Sequence, residues 1–203
     1  MWPDLRGQKA QARRLKERKD DKVKAHRVEH SMYRFWDRWL SDGRVPHLFA
    51  SDQRGRCRDL FEGTPYELER AEPDQRCFDL SPDGRFVAFG YDPGEEKQVD
   101  AEYDIVELDL QRRRFRNLTP GKPHRHYHHP RYAPDGATLA CLSNDVRKSP
   151  LAPSEITLIE RRRGAITMVS RRWDRSVEAP LAWSSDGAAA LARLWIIRLS
   201  RSS

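Results

Sequence analysis

Three stretches of this chain repeat one pattern at nearly constant spacing, and that repetition limits the fold more than any other feature. They are C-F-D-L-S-P-D-G-R-F-V-A-F at 77–89, P-R-Y-A-P-D-G-A-T-L-A-C-L at 130–142 and L-A-W-S-S-D-G-A-A-A-L-A at 181–192. Their Asp-Gly pairs, Asp83-Gly84, Asp135-Gly136 and Asp186-Gly187, lie 52 and 51 residues apart. A fixed period of this size marks an array of small units, none of which can bury its apolar face alone. Each copy reads as a strand, a tight turn and a second strand. Pro82 and Pro134 preset φ, Ser185 takes that place in the third copy, and Gly accepts positive φ.

Two more strand patterns follow each complete copy. Tyr103–Leu110 and Phe115–Thr119 follow the first, joined by Gln111–Arg114; Ile156–Glu160 and Ala165–Ser170 follow the second, joined by Arg161–Gly164. Four strands in some fifty residues predict one blade of a propeller. Upstream, His47–Ser51 and Arg58–Phe61 read as the last two strands of an earlier blade. The fold class that follows is all-β: a partial β-propeller of about two full four-stranded blades (about 76–120 and 129–171) plus parts of two more. Residues 1–30 form a basic, helical-looking N-terminal extension, 31–191 the incomplete propeller, and 192–203 a divergent or truncated tail matching no earlier repeat. A frame-shifted or truncated gene is the expectation for that tail, with a true divergent strand as the alternative.

Charge supports this division. The chain carries a formal +7, and residues 1–30 supply five of those charges, with ten Lys and Arg against five acids. The body is nearly balanced, so no broad polyanion-seeking field is expected there. Gln8–Lys24 is polar on all sides, with Leu15 and Val23 its main large apolar residues, and reads as a solvated extension. From Val28 onward Tyr33, Phe35, Trp36 and Trp39 are expected to pack onto the blades, the two Trp as core. Cys57, Cys77 and Cys141 form an odd set without a CxxC pair, which argues against a thiolate metal site or a disulfide framework. No apolar run approaches a membrane span and no secretory h-region is seen, so a cytoplasmic, thiol-reduced setting is the default and no membrane partner is expected.

Several residues invite a sharper reading. His124, His126, His128 and His129 crowd together in P-H-R-H-Y-H-H. Imidazoles bind zinc, but Arg125 interrupts them and no acid or thiol is near in sequence, so a solvated inter-blade loop is expected. Ser81, Ser184 and Ser185 adjoin turn Asp residues, and turn hydrogen bonding accounts for them without a nucleophile's base and oxyanion hole. Arg112–Arg114 and Arg161–Arg163 resemble nucleic-acid patches, yet both occupy the same inter-strand hairpin, where exposed charge guards an edge. No catalytic residue, cofactor-binding residue or metal ligand is assigned.

The stretch Y-R-F-W-D-R-W-L-S-D-G-R-V-P-H-L-F at 33–49, the S-P-D-G-R corner, L-T-P-G at 118–121 and R-R-W-D-R-S-V at 171–177 carry a resemblance. Together they are similar to the propeller of acylaminoacyl-peptidase-like members of the prolyl oligopeptidase family, over roughly residues 10–190. That resemblance implies a non-catalytic propeller of a serine exopeptidase, which restricts access of short peptides to an α/β-hydrolase domain. The hydrolase domain would carry its serine on a strained Gly-x-Ser-x-Gly elbow. No such motif occurs here, so the chain alone is expected to be inactive and the hydrolase domain is its missing partner. The alternative is a stand-alone TolB-like protein-interaction propeller, for which a periplasmic signal would be expected. A third reading, nucleic-acid binding through the basic lead, predicts binding that collapses with salt and is disfavoured.

Overall fold

The computed structural model describes residues 1–23, 34–35, 38–40, 43–95, 102–120, 124–149, 152–173 and 175–195. Most of the regular structure is β. The chain forms two compact units, Met1–Pro73 with Pro93–Val99, and Asp74–Asp92 with Asp100–Ser203.

In the first unit, α1 (Gln8–Asp20) starts after Gly7 at φ 76 and stops at the extended Asp21. Its residues are mostly straight-chain helix formers without β-branching, and Arg18 and Lys19 complement the dipole at its end. Its attachment is polar. Gln11 is buried; its amide donates to Trp2 O at 2.8 Å and Leu5 O at 3.0 Å, while Trp2 N donates to its Oε1 at 2.9 Å. A helix with no apolar stripe is thus held by polar contacts, Gln11 and the Arg14–Asp4 pair among them, which the picture of a wholly solvated lead does not include. Two short hairpins follow: β1 (Arg34–Phe35) with β2 (Arg38–Trp39), and β3 (Phe49–Ser51) with β4 (Cys57–Asp59). The packing expected for Tyr33, Phe35, Trp36 and Trp39 falls outside the described residues.

The second unit holds the repeats. The first sheet comprises β5 (Phe78–Leu80), β6 (Phe86–Tyr91), β7 (Asp104–Asp109) and β8 (Arg114–Asn117), in sequence order. The second comprises β9 (Arg125–Tyr132), β10 (Thr138–Asp145), β11 (Glu155–Glu160) and β12 (Ile166–Met168), also in sequence order. A third pairs β13 (Ser176–Trp183) with β14 (Ala190–Trp195). All neighbours are antiparallel. β14 runs through Trp195, four residues into the stretch expected to diverge, because Leu194 and Trp195 continue the ladder with Val177 and Ser176.

The three Asp-Gly corners are built alike. Gly84, Gly136 and Gly187 have φ of 69°, 65° and 70°, which only glycine adopts cheaply. Each donates its N–H to the carbonyl three residues back: Ser81, Ala133 and Ser184. The Asp carboxylates accept the backbone N–H two residues on, from Arg85, Ala137 and Ala188 at 3.1, 2.8 and 3.0 Å. Successive corners also touch. A Cβ on Gly136 would lie 3.6 Å from Pro82, and one on Gly187 would lie 3.5 Å from Pro134.

Burial follows the same stacking. Strand residues alternate faces, so β10 sends Leu139 and Cys141 to one side, Ala140 and Leu142 to the other. The first pair joins Ala88, Ile105 and Leu118 of the first sheet; the second joins Val177, Ala179 and Leu181 of the third. The second sheet is therefore apolar on both faces, which explains its continuous L-A-C-L run. The stacked sheets fit a partial propeller.

Candidate functional site

A cleft of about 970 Å³ opens where the first two sheets meet at their corners. Its walls come from equivalent places in the repeat: the corners at Pro82-Asp83 and Pro134–Ala137, the β7–β8 hairpin, and Arg161-Arg162 at the start of the β11–β12 hairpin. Those hairpins turn through Arg113 at φ 54 and Gly164 at φ 68. Arg161 N donates to Ala137 O at 3.1 Å, which ties the hairpin to its own corner.

Glu107 lies at the base. It belongs to β7, on the face that Ile105 also presents to the second sheet, and its side chain is only 4% exposed. A carboxylate removed from water survives only with strong partners. It has three. Arg161 Nε donates at 2.6 Å, Tyr132 Oη at 3.0 Å and an Arg116 amino group at 3.0 Å. Arg161 also donates to Gly136 O, and its guanidinium stands 4.4 Å from the Phe86 ring centroid and 5.1 Å from that of Tyr132. Arg85 covers Phe86 as well, at 4.9 Å. Burial, with Glu107 beside it, pushes the Tyr132 phenol far above its ordinary value, so it acts as a fixed donor.

Nearer the mouth, Asp109 accepts backbone N–H groups from Arg112 and Gln111 at 2.9 and 3.0 Å, and Arg85 at 3.0 Å. The Arg112 backbone bond, then the Arg85 pair, hold its carboxyl below the ordinary range. Chemically this arrangement offers guanidinium groups for oxyanions, framed by fixed carboxylates. It presents no nucleophile beside a base.

The serines singled out in the sequence are turn groups. Ser81 Oγ donates to Asp83 at 2.6 Å and accepts from Phe86 N at 2.8 Å; Ser184 Oγ donates to Asp186 at 2.5 Å and accepts from Ala189 N at 2.9 Å. Ser185 sits in the same turn. Among the arginine runs, Arg112–Arg114, Arg162 and Arg163 are exposed as hairpin charge. Arg161 is not: it is 14% exposed and bound to Glu107 across the sheet interface.

The histidine expectation needs correcting. His126, His128 and His129 lie within β9, not in a solvated loop; His126 and His128 pair with Asn144 and Leu142 of β10, and His129 sits at the bulge that follows, at φ 54. Their rings touch in series, tilted or edge to face: Tyr103 to His126 at 4.8 Å, His126 to His128 at 4.7 Å, and His128 to His129 at 4.6 Å. Loss of hydration, then His126 and His129 nearby, holds His128 well below the usual imidazole value. Burial, then Arg76 and Arg131, brings His129 to about 4. Only His124 stays outside the strand, exposed, 3.2 Å from Glu102. Pairing against the apolar β10 overrides the polar look of the segment. Among the described residues no three His, Cys, Asp or Glu side chains are arranged for a metal ion.

Cys57, Cys77 and Cys141 form no disulfide; Cys77 and Cys141 are buried and Cys57 exposed. Thr119 of the L-T-P-G segment accepts Ile105 N at 3.0 Å and donates to Asp104 at 2.7 Å. One repeat on, Ser170 accepts Ile156 N at 2.7 Å. Glu107, Tyr132 and Phe86 were not singled out from the sequence as site residues, and Arg161 only as hairpin charge. A signal existed: a lone Glu inside the apolar run Ile105–Leu108 of a strand buried on both faces demands a cationic partner.

No protein-family model matches the chain, and no curated protein matches it. Solved structures do. The chain is similar to TolB from Acinetobacter baumannii, with 17% identity, a TM-score of 0.49, and coverage of 78% of this chain and 33% of that one. It is also similar to a protein from Agrobacterium tumefaciens described as a TolB, with 16% identity, a TM-score of 0.50, and coverage of 74% and 51%. The second likeness shows a TolB-like fold. The chain thus spans between a third and about a half of the length of these two structures. Among the described residues no helix is long and apolar enough to cross a membrane.

Proposed function

We propose that this chain is a TolB-like protein-interaction propeller segment, of about two full blades with parts of two more, that binds another protein at its inter-blade rim and performs no chemistry itself. The observation that carries this reading is the cleft itself, a polar recess between stacked repeats, rich in guanidinium groups, while the corner serines Ser81 and Ser184 outside it are engaged in turns. Propellers commonly place binding surfaces on loops held by a rigid scaffold. The TolB-like fold supports it further.

A second reading is favoured by one observation, the Y-R-F-W-D-R-W-L segment with its companion motifs. In it the chain is the cytoplasmic cap of an acylaminoacyl-peptidase-like enzyme, admitting short peptides to an α/β-hydrolase domain. Both readings make the chain inactive alone. Treatment with a fluorophosphonate probe and a chromogenic acyl-peptide is expected to give neither labelling nor turnover. Stoichiometric labelling would overturn the non-catalytic claim. Co-purification of an α/β-hydrolase chain would select the second reading over the first.

A further inference from the structure

The arginines of the cleft are not all accounted for by its acids. Six arginines and four acids line it. Glu107 takes Arg161 and Arg116, and Asp109 takes Arg85 and the more distant Arg112 at 3.9 Å. Arg114 and Arg162 pair with no acid among the described residues, and both are exposed. They come from successive sheets, one from β8 and one from the hairpin after β11, so the cleft lies between two unspent cations.

We propose that this cleft docks an acidic peptide segment of a partner protein, whose carboxylates Arg114 and Arg162 bind. The proposal rests on the protein-interaction reading above and names its partner chemistry. Guanidinium groups match carboxylates in planar, charge-assisted pairs. The volume, about 970 Å³, is at the upper end of the range for ligand clefts and holds a few residues rather than a single small ion. A polynucleotide fits less well. Its charge repeats at every backbone step, and Asp83, Asp109 and Asp135 stand among the arginines and would repel it. A peptide can space its carboxylates to avoid them, with its apolar groups against Pro82 and Pro134.

The test uses the full chain and a short fluorescein-labelled peptide of alternating Glu and Asp, followed by fluorescence anisotropy at about 0.1 M salt, where distant charges are screened. The matching Gln/Asn peptide, a single-stranded oligonucleotide and inorganic phosphate serve as competitors. Arg114→Glu/Arg162→Glu is expected to weaken binding about tenfold or more, since reversed charge at a cleft repels as well as releases. Arg171→Glu/Arg172→Glu makes the same charge change at exposed residues outside the cleft and is expected to leave affinity within about twofold. Arg114→Gln/Arg162→Gln removes charge without reversal and is expected to fall between them. Equal losses in the two Glu variants would overturn the proposal, as would equal binding of the Gln/Asn peptide, no binding at all, or stronger competition by oligonucleotide or phosphate. Fluorophosphonate labelling would instead sink the non-catalytic reading while leaving a cleft result standing.

Discussion

The interface between the first and second sheets and the one between the second and third sit at equivalent places in the repeat, yet they are held differently. Stepping forward by 51 residues from Glu107 and Tyr132 reaches Leu158 and Trp183. At the first interface a buried carboxylate binds a phenol and two guanidinium groups. At the second, Leu158 and Trp183 pack on Ala140, Leu142, Ile156, Val177, Ala179 and Leu181, and the indole donates to Arg131 O at 3.1 Å. The corners dictate where successive sheets touch; they do not dictate the chemistry of contact.

The sharpest way to break this comparison is to remove the buried carboxylate. Glu107→Ala strands Arg161 and Tyr132, and a loss of about 3–5 kcal/mol is expected by chemical denaturation. The double change Glu107→Leu/Arg161→Met replaces the buried ion pair with apolar groups, Leu being the residue at the equivalent position 158, and should recover most of that loss. At the apolar interface, Leu142→Ala is expected to cost about 2–5 kcal/mol through lost burial and a cavity, with no rescue from a polar partner.

Acid provides a third probe. His128 and His129 are harder to protonate when folded than when unfolded, where the imidazole titrates near 6.5. Their neutral forms are therefore compatible with full stability above about pH 6.5. Stability should fall as pH drops from there toward 4, as the unfolded chain takes up protons that the folded chain refuses. The lowered carboxyls of Asp74 and Asp109 add further loss only below the ordinary Asp value of 3.8. Melting temperature recorded from pH 7.5 to 4.5 checks this, and a flat profile would contradict the close packing of these imidazoles.

The smallest effect concerns a corner. Ser81→Ala removes two side-chain hydrogen bonds but copies Ala133, which holds the equivalent place in the second repeat. About 1 kcal/mol of destabilisation is expected in a thermal melt.

The repeat made the strands legible, because alternating apolar residues around Asp-Gly leave few other arrangements. Phe86–Phe89 and Leu139–Leu142 are strands for that reason. The histidine strand was not legible: Arg125–His128 owes its extended backbone to a partner strand, not to its own polar residues. The cleft was half legible. Arg112–Arg114 and Arg161–Arg163 stood out, but only the register that places Arg161 against Glu107 separates a structural arginine from exposed ones. That register depends on stacking between sheets, which no local pattern contains.

A double-mutant cycle between Glu107 and Arg161, 54 residues apart in sequence, tests this stacking most directly. If successive sheets meet as described, Glu107→Gln and Arg161→Met should be coupled by about 1–3 kcal/mol in unfolding free energy. Losses that simply add, to within about 0.3–0.5 kcal/mol, would mean that the two side chains do not touch and that the sheets do not stack this way.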